Sequence, residues 1–151
     1  MLEAPEPRHA STFTGEIRKM SEEAPFTVST FYKFAGEKRL MAAKCTDCGT
    51  ELLPPKPMCT NCLSTNLKWI EVDGDGKLLS YTIIYVAPEQ FQDMAPYIVG
   101  IVELRNGLRL PGLIRDVKPE NIKVGMSLKI DFEESVSSEW PAWSRYFFRP
   151  V

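Results

Sequence analysis

Cys45-Thr46-Asp47-Cys48-Gly49 and Cys59-Thr60-Asn61-Cys62 decide how the first half of this 151-residue chain folds. Each stretch contains a Cys-x-x-Cys pair, and ten residues separate the first pair from the second. Two such knuckles joined by a short loop can place four thiolates at the corners of a tetrahedron, the arrangement that zinc prefers. Gly49 suits the tight turn after the second thiolate, because a side chain there would crowd the metal. The spacing therefore predicts a metal site formed by Cys45, Cys48, Cys59 and Cys62.

The kind of metal site follows from the number of sulfur ligands. Four thiolates fill a tetrahedral coordination shell and leave no position for water or substrate, so we expect a structural site. Zinc is the expected metal, and iron is a less favoured occupant of the same tetrahedral sulfur cage. Two redox-active dithiols or four buried free cysteines are the alternative interpretations. The metal is favoured because residues 41–72 hold too few large apolar side chains to build a core of their own.

Composition and charge limit the classes of partner. The chain is 44% hydrophobic and 25% charged, with a net charge of −2, so no excess of basic residues indicates duplex nucleic acid as a partner. Residues Met1–Ser11 contain no apolar stretch typical of a secretory signal. The longest apolar runs, Tyr81–Ala87 and Tyr97–Val102, are too short to span a bilayer. We therefore expect a cytoplasmic protein with no membrane partner, in which cysteines stay reduced and available to a metal.

Three segments are predicted along the chain: a tail and helix at residues 1–40, a zinc ribbon at 41–72 and a barrel domain at 73–151. The helix is predicted within Thr27–Leu40, with Ser29 or Thr27 as its N-cap and Gly36 as a point where it ends or kinks. Its apolar face consists of Val28, Phe31, Tyr32 and Phe34. A flexible tail and a docking helix are both compatible with the first 24 residues or so.

The third segment is predicted to consist of β-strands. Its β-branched, aromatic and alternating stretches are Leu78–Val86, Tyr97–Leu104, Leu108–Arg115, Ser127–Phe132 and Tyr146–Phe148. Asn106-Gly107 predicts a hairpin with a type I′ turn, which needs positive φ at both central residues. Pro119–Ile122 predicts a short helical turn after the third strand. The fold class is therefore mainly β, with a five-stranded, closed Greek-key barrel of the OB type.

No constellation of residues typical of acid–base catalysis is evident in the sequence. His9 is the only histidine, which excludes an imidazole-based triad as the central mechanism. Asp73-Gly74-Asp75-Gly76 resembles the start of a calcium loop, but Lys77 occupies the next ligand position and no glutamate closes the site. We interpret this stretch as a turn into the barrel. The sequence predicts a protein without catalytic activity of its own.

The order of these motifs resembles a known family. Pro54-Pro55-Lys56-Pro57 links the knuckles, and Trp69 precedes the Gly74-x-Gly76-x-Leu78 entry into Ser80-Tyr81-Thr82. Pro96-Tyr97-Ile98-Val99 and Gly125-Met126 follow in the same order. From about Phe31 onward the chain resembles the acyl-CoA-associated proteins that join a rubredoxin-like zinc ribbon to an OB-fold, first catalogued as a domain of unknown function. One departure is Lys56-Pro57, where the family usually has an arginine after the prolines, and lysine cannot make the same bidentate contact.

This resemblance implies an accessory role. Members of the family are generally non-catalytic partners of thiolase-fold and other CoA-dependent enzymes, and some bridge archaeal acetoacetyl-CoA thiolase and 3-hydroxy-3-methylglutaryl-CoA synthase. Others pair with hydratases or aldolases that act on steroid-CoA thioesters. CoA or acyl-CoA is a further expected ligand. The residues predicted to contact the partner or acyl-CoA are Phe91, Tyr97, Arg105, Trp140 and Trp143. For the two tryptophans, a place in the barrel core is the equally weighted alternative.

Two other functions use the same building blocks. Zinc ribbons and OB-folds both bind single-stranded nucleic acid, but 20 acidic residues against 18 basic ones provide no dense basic groove. A rubredoxin-like electron carrier would require iron in the four-cysteine site. A salt-titrated DNA-binding assay and the colour of the purified protein distinguish these alternatives from the accessory role.

Overall fold

The computed structural model describes residues 24–133 and 145–151. One α-helix, α1 (Val28–Gly36), and one 3-10 helix (Glu89–Met94) lie within these ranges. Three strands belong to the cysteine segment: β1 (Met41–Cys45), β2 (Glu51–Leu52) and β3 (Leu67–Glu71). Five more follow: β4 (Asp75–Ile84), β5 (Tyr97–Leu104), β6 (Arg109–Ile114), β7 (Ser127–Glu133) and β8 (Arg145–Pro150). Among the helices of these ranges, none is long and apolar enough to cross a membrane.

Helix α1 begins and ends through local hydrogen bonds. The Thr27 hydroxyl oxygen accepts a hydrogen bond from the Thr30 N–H at 3.3 Å, which confirms Thr27 as the N-cap. At the other end, Lys38 has a φ of 60°, and its N–H donates to the Ala35 carbonyl. The Arg39 N–H donates to the Phe34 carbonyl, which completes a Schellman motif. The helix therefore ends at Gly36 and does not reach Leu40.

Replacing Thr27 with alanine is expected to lower the free energy of unfolding by about 1 kcal/mol, because the Thr30 N–H loses its acceptor. Urea unfolding followed by circular dichroism measures the change. Thr27→Ser keeps the hydroxyl and is the matched control, with an expected loss of less than about 0.5 kcal/mol. Equal stability of the alanine variant and the parent would show that this cap does not stabilise α1.

The cysteine segment folds into a three-stranded antiparallel sheet in the order β2–β1–β3. Ala43 in the central strand pairs with Leu52 on one side and with Trp69 on the other. Met41, Ala42 and Ala43 are all buried, so both faces of β1 are covered. Strand β1 ends at Cys45, which places the first metal-ligand candidate at the tip of the sheet.

The remaining strands form a closed barrel in the order β4–β5–β6–β8–β7, and β7 pairs with β4 to complete it. All pairs are antiparallel except β6 and β8, which run parallel at Leu113–Phe147 and Ile114–Phe148. Five strands closed in this order, with one parallel pair, form an OB-fold barrel. The predicted fold class is confirmed.

The hairpin between β5 and β6 differs in turn type from the prediction. Gly107 has a φ of 81°, but Asn106 is not among the described residues with positive φ. The Gly107 N–H donates to the Leu104 carbonyl at 2.9 Å, and the Leu104 N–H donates to the Leu108 carbonyl at 2.8 Å. The connection is therefore a three-residue loop that ends in a left-handed glycine. The hairpin prediction is right and the type I′ assignment is wrong, because only one residue adopts positive φ.

The connection after the third barrel strand contains one hydrogen-bonded turn at the place where a short turn was predicted, Pro119–Ile122. The Asn121 N–H donates to the Lys118 carbonyl at 2.9 Å, and the turn does not continue into a helix. Ile122, only 4% exposed, enters the barrel core directly. The sequence analysis did not predict the 3-10 helix Glu89–Met94. This helix follows Pro88 and lies between the first and second barrel strands.

One apolar core connects the helix, the small sheet and the barrel. Phe31 of α1, together with Leu40 and Ala42, packs with barrel residues such as Leu78 and Phe148. A second cluster contains Trp69, whose ring stacks on Phe26 with centroids 4.9 Å apart; its indole N–H donates to the Ala24 carbonyl at 2.9 Å. The division at residues 40 and 72 stays a prediction, and packing across both positions is continuous.

Candidate metal centre and neighbouring surfaces

The two cysteine knuckles have matching backbone conformations. In the first, the Gly49 N–H donates to the Cys45 carbonyl at 3.0 Å, and in the second the Leu63 N–H donates to the Cys59 carbonyl at 3.1 Å. Gly49 has a φ of 78° and Leu63 a φ of 61°, so both turns place a left-handed residue directly after the second cysteine. This repeated turn directs both sulfurs of each knuckle toward the same point.

The four sulfurs form a cluster of the right size for a metal ion. All four lie within 4.8 Å of one another, with Cys45 Sγ 3.6 Å from Cys62 Sγ and Cys48 Sγ 3.5 Å from Cys59 Sγ. Zn–S bonds of about 2.3 Å place the corners of a tetrahedron about 3.8 Å apart. All four cysteines are free of disulfides. The four sulfur atoms and their spacing fit a tetrahedrally coordinated cation that prefers sulfur ligands. The structure therefore brings the four predicted ligands together.

Hydrogen bonding and desolvation shift the pKa values of the cysteine thiols in opposite directions. The Thr50 hydroxyl oxygen lies 3.1 Å from Cys48 Sγ, and hydrogen bonding with the Thr50 side chain and backbone lowers the pKa of Cys48 to about 6. At Cys62 the Ser64 backbone N–H favours the thiolate, but desolvation and hydrogen bonds with the other cysteines outweigh it and raise the pKa to about 12. A cation held by all four sulfurs would favour the deprotonated form of each ligand, because opposite charge stabilises a thiolate.

A hydrogen-bonded carboxylate joins the two knuckles next to the sulfurs. Asp47, between the cysteines of the first knuckle, accepts hydrogen bonds from the Ser64 hydroxyl and, at 3.1 Å, from Asn66 Nδ2. These two bonds lower the pKa of the Asp47 carboxyl, the Ser64 bond having the larger effect. The sequence analysis did not identify this contact, because its partners lie 17 and 19 residues away. Only the pairing of β1 with β3 brings them together.

Replacing Asp47 with alanine is expected to speed metal release by about tenfold, because the link that holds the knuckles in register is lost. The rate of zinc transfer to an excess of chromogenic chelator measures this effect. Asp93→Ala removes an exposed acid from the distant 3-10 helix and is the charge-matched control. Equal release rates for the two variants would show that Asp47 does not support the site.

The predicted contact residues are only partly brought together. The rings of Phe91 and Tyr97 have centroids 6.2 Å apart, and Tyr97 lines a surface cavity of about 570 Å³. Arg105 does not line this cavity and lies in the β5–β6 hairpin loop. Its guanidinium pairs with Asp73 at 3.2 Å and Asp75 at 3.1 Å. Asp75 and Gly76 belong to strand β4, so the prediction of a turn across the whole Asp73–Gly76 stretch is wrong. Trp140 and Trp143 lie outside the described residues.

The cavity beside Tyr97 combines apolar and charged groups. Met94 and Pro96 line it together with Arg115, Glu133 and Arg145. Arg115 Nη2 lies 3.3 Å from Glu133 Oε2, and its guanidinium carbon lies 4.5 Å from the centre of the Phe147 ring. These two contacts hold the Arg115 guanidinium in place at the edge of the cavity. The cavity was not apparent from the sequence, because its lining comes from four separate segments of the chain.

The barrel and the four-cysteine sheet together define a protein of the zinc-ribbon and OB-fold class. Residues 33–68 match the family model of the ChsH2 rubredoxin-like zinc ribbon domain, and residues 69–133 match that of the ChsH2 C-terminal OB-fold domain. A scaffold protein with a DUF35 domain from Methanocaldococcus jannaschii is 37% identical, over 62% of this chain and 67% of the relative. The chain belongs to the DUF35 family, and the resemblance noted in the sequence is confirmed.

Two further relatives connect this architecture with enzymes. A probable enoyl-CoA hydratase alpha subunit from Thermomonospora curvata is 32% identical over 70% of this chain, but the match covers 33% of that longer protein. A solved structure of an Ltp2–ChsH2(DUF35) aldolase matches with a TM-score of 0.68 and 31% identity, over 80% of this chain and 91% of the matched chain. The same ribbon and barrel therefore occur both in separate scaffold proteins and as parts of larger subunits.

Proposed function

We propose that this chain is a non-catalytic accessory subunit that binds an enzyme acting on CoA thioesters, of the thiolase or 3-hydroxy-3-methylglutaryl-CoA synthase type. The observation that carries the proposal is the similarity to DUF35 scaffold proteins over most of their length, with 37% identity to one of them. The aldolase that contains a matching DUF35 chain supports an enzyme as the partner. The similar segment of a probable enoyl-CoA hydratase alpha subunit supports a partner that acts on CoA thioesters. A cytoplasmic location is part of the proposal.

The proposed metal is zinc, and its proposed role is structural. Cys45 and Cys59 are almost completely buried, whereas Cys48 and Cys62 are exposed, and four thiolates complete a tetrahedral shell. Elemental analysis of the purified chain should find about one equivalent of zinc, and the preparation should be colourless. A coloured preparation with one equivalent of iron would instead favour an electron carrier.

Acyl-CoA is the proposed ligand of the assembled complex. Phe91 and Tyr97 lie side by side next to the cavity, whose lining offers apolar contacts together with the guanidinium groups of Arg115 and Arg145 and the carboxylates of Asp116 and Glu133. Arg115 pairs with one of these carboxylates, that of Glu133. CoA should therefore bind the complex in isothermal titration calorimetry. Arg105 is a weaker candidate than predicted, because Asp73 and Asp75 already pair with its guanidinium.

Affinity purification of the tagged full chain from its source organism tests the accessory role. We expect a CoA-dependent enzyme in a fixed stoichiometric ratio, identified by mass spectrometry and kept through size-exclusion chromatography. The chain alone should turn over no acyl-CoA substrate, while the recovered complex should. Turnover by the isolated chain would contradict the non-catalytic role, and a monomer without partner or CoA affinity would contradict the accessory role.

A further inference from the structure

The tip of the second knuckle carries exposed apolar side chains beside two of the metal-ligand candidates. We call residues Pro57–Leu63 the knuckle-2 tip; it contains no acidic or basic side chain. Two large apolar residues at its ends face solvent, with Met58 45% exposed and Leu63 66% exposed. Neither belongs to an apolar core cluster of the residues that the structure describes. The fold therefore gains little from these two side chains.

The backbone of the exposed Leu63 has a conformation that is unusual for leucine. Its φ of 61° lies in the left-handed region, where a Cβ atom is unfavourable and glycine is the residue best suited. Gly49 occupies the matching position of the first knuckle, with a φ of 78°. Leucine at position 63 thus opposes the local backbone preference and leaves its own side chain in water. Departures of this kind concentrate at functional sites, where the side chain serves another purpose.

The two knuckles differ in surface chemistry although their backbones match. Lys44 and Gly49 flank the first pair of cysteines, and Lys44 is already paired with Glu51 at 3.6 Å. Met58 and Leu63 occupy the corresponding positions around the second pair. Because the same turn is formed with either set of residues, the apolar pair is not needed for the turn itself. Of the two knuckles, the second is the one that carries exposed apolar side chains at both of these positions.

We propose that the knuckle-2 tip is a docking surface that inserts Leu63 and Met58 into an uncharged, apolar depression of a partner protein. This inference rests on the proposed function, since the partner is the CoA-dependent enzyme. The tip itself has no basic residue to meet phosphates, and the exposed Lys56 immediately before it adds a single cation. A protein surface is therefore favoured over nucleic acid or an anionic membrane, which several basic residues would be needed to bind. The short hydrogen-bonded turn limits the entropy lost on binding, so a small apolar tip can contribute substantially to affinity.

Leu63→Gly separates a role in binding from a role in folding. Glycine suits the left-handed backbone, so the metal content should be unchanged and the melting temperature equal to the parent's or higher. Affinity for the purified enzyme partner, measured by calorimetry, should fall by about tenfold or more. Met58→Ala should weaken binding in the same direction. Val124→Ala, at a site 64% exposed on the barrel, is the control and should leave affinity unchanged.

The outcomes distinguish this inference from the proposed function. If a CoA-dependent enzyme co-purifies and binds the Leu63→Gly and parent chains equally, the docking surface is wrong and the accessory role stands. If the identified partner is not a CoA enzyme, but its affinity is lost in Leu63→Gly and kept in Val124→Ala, the surface stands and its partner class is wrong. A parent chain that binds no protein would overturn both.

Discussion

Replacing Cys45 with alanine is expected to abolish stoichiometric metal binding and to unfold the β1–β2–β3 sheet. Metal binding contributes about 10–16 kcal/mol in small zinc modules, which equals or exceeds the stability of a typical domain. Three remaining sulfurs leave the shell incomplete, and Cys45 is 1% exposed, so water would have poor access to the empty corner. Partner binding should be lost as well, because the knuckle-2 tip depends on the same cluster.

Elemental analysis and circular dichroism measure the consequences of Cys45→Ala. Thr60→Ala is the matched control, because Thr60 lies within the second knuckle, is exposed and offers no thiolate. The control should keep one equivalent of metal and the parent's spectrum. A Cys45→Ala chain with full metal content and unchanged folding would disprove the four-ligand site. A catalytic rate present in the isolated parent and lost in this variant would disprove the structural role.

Replacing Phe148 with alanine is expected to lower the free energy of unfolding by about 3–5 kcal/mol. The side chain is fully buried, and its ring packs where Gly112 leaves room, since a Cβ on that glycine would lie 2.9 Å from Phe148 Cε2. Strand β8 pairs with both β6 and β7, so the cavity would open at the barrel closure. Phe31 of α1 shares this core, and loss of the ring should also loosen the helix.

Urea unfolding measures the Phe148 effect, with Ile101→Ala as the comparison. Ile101 is 42% exposed on strand β5 of the same barrel, and its truncation should reduce stability by less than about 1 kcal/mol. Phe148→Leu should recover part of the stability because it refills some of the volume. A loss below about 1 kcal/mol for Phe148→Ala would show that the barrel collapses around the missing ring more completely than such cores usually do.

The metal site and the barrel could be predicted from sequence because their signals are local. Cysteine spacing determines the two knuckles, and alternating or β-branched stretches mark each barrel strand within a few residues. The β5–β6 hairpin was predicted for the same reason, through Asn106-Gly107. Its turn type was not predicted correctly, because Asn-Gly fits both a two-residue and a three-residue hairpin loop. The pairing of Leu104 with Leu108 determines that this loop has three residues.

The features that the sequence did not reveal depend on contacts between distant segments. Asp47 meets Ser64 and Asn66 only after the small sheet has formed. Ile122 lies at the end of the predicted turn, but its burial in the barrel core depends on strands far away in the sequence. Leu63 was also overlooked, because nothing in the sequence shows that its backbone is left-handed. Its positive φ is visible only in the three-dimensional structure, where Leu63 takes the position that Gly49 has in the first knuckle.

The parallel pairing of β6 with β8, the last strand of the barrel, limits when the barrel can fold during synthesis. Every residue of the metal site and of its Asp47 link has been synthesised by residue 66, and its contacts span no more than about twenty residues. The barrel, by contrast, cannot close until β8, which ends at Pro150, has been made and has found both β6 and β7. Short-range contacts form faster than long-range ones. The metal-binding sheet is therefore expected to form first during synthesis and to provide a folded surface onto which the barrel later closes.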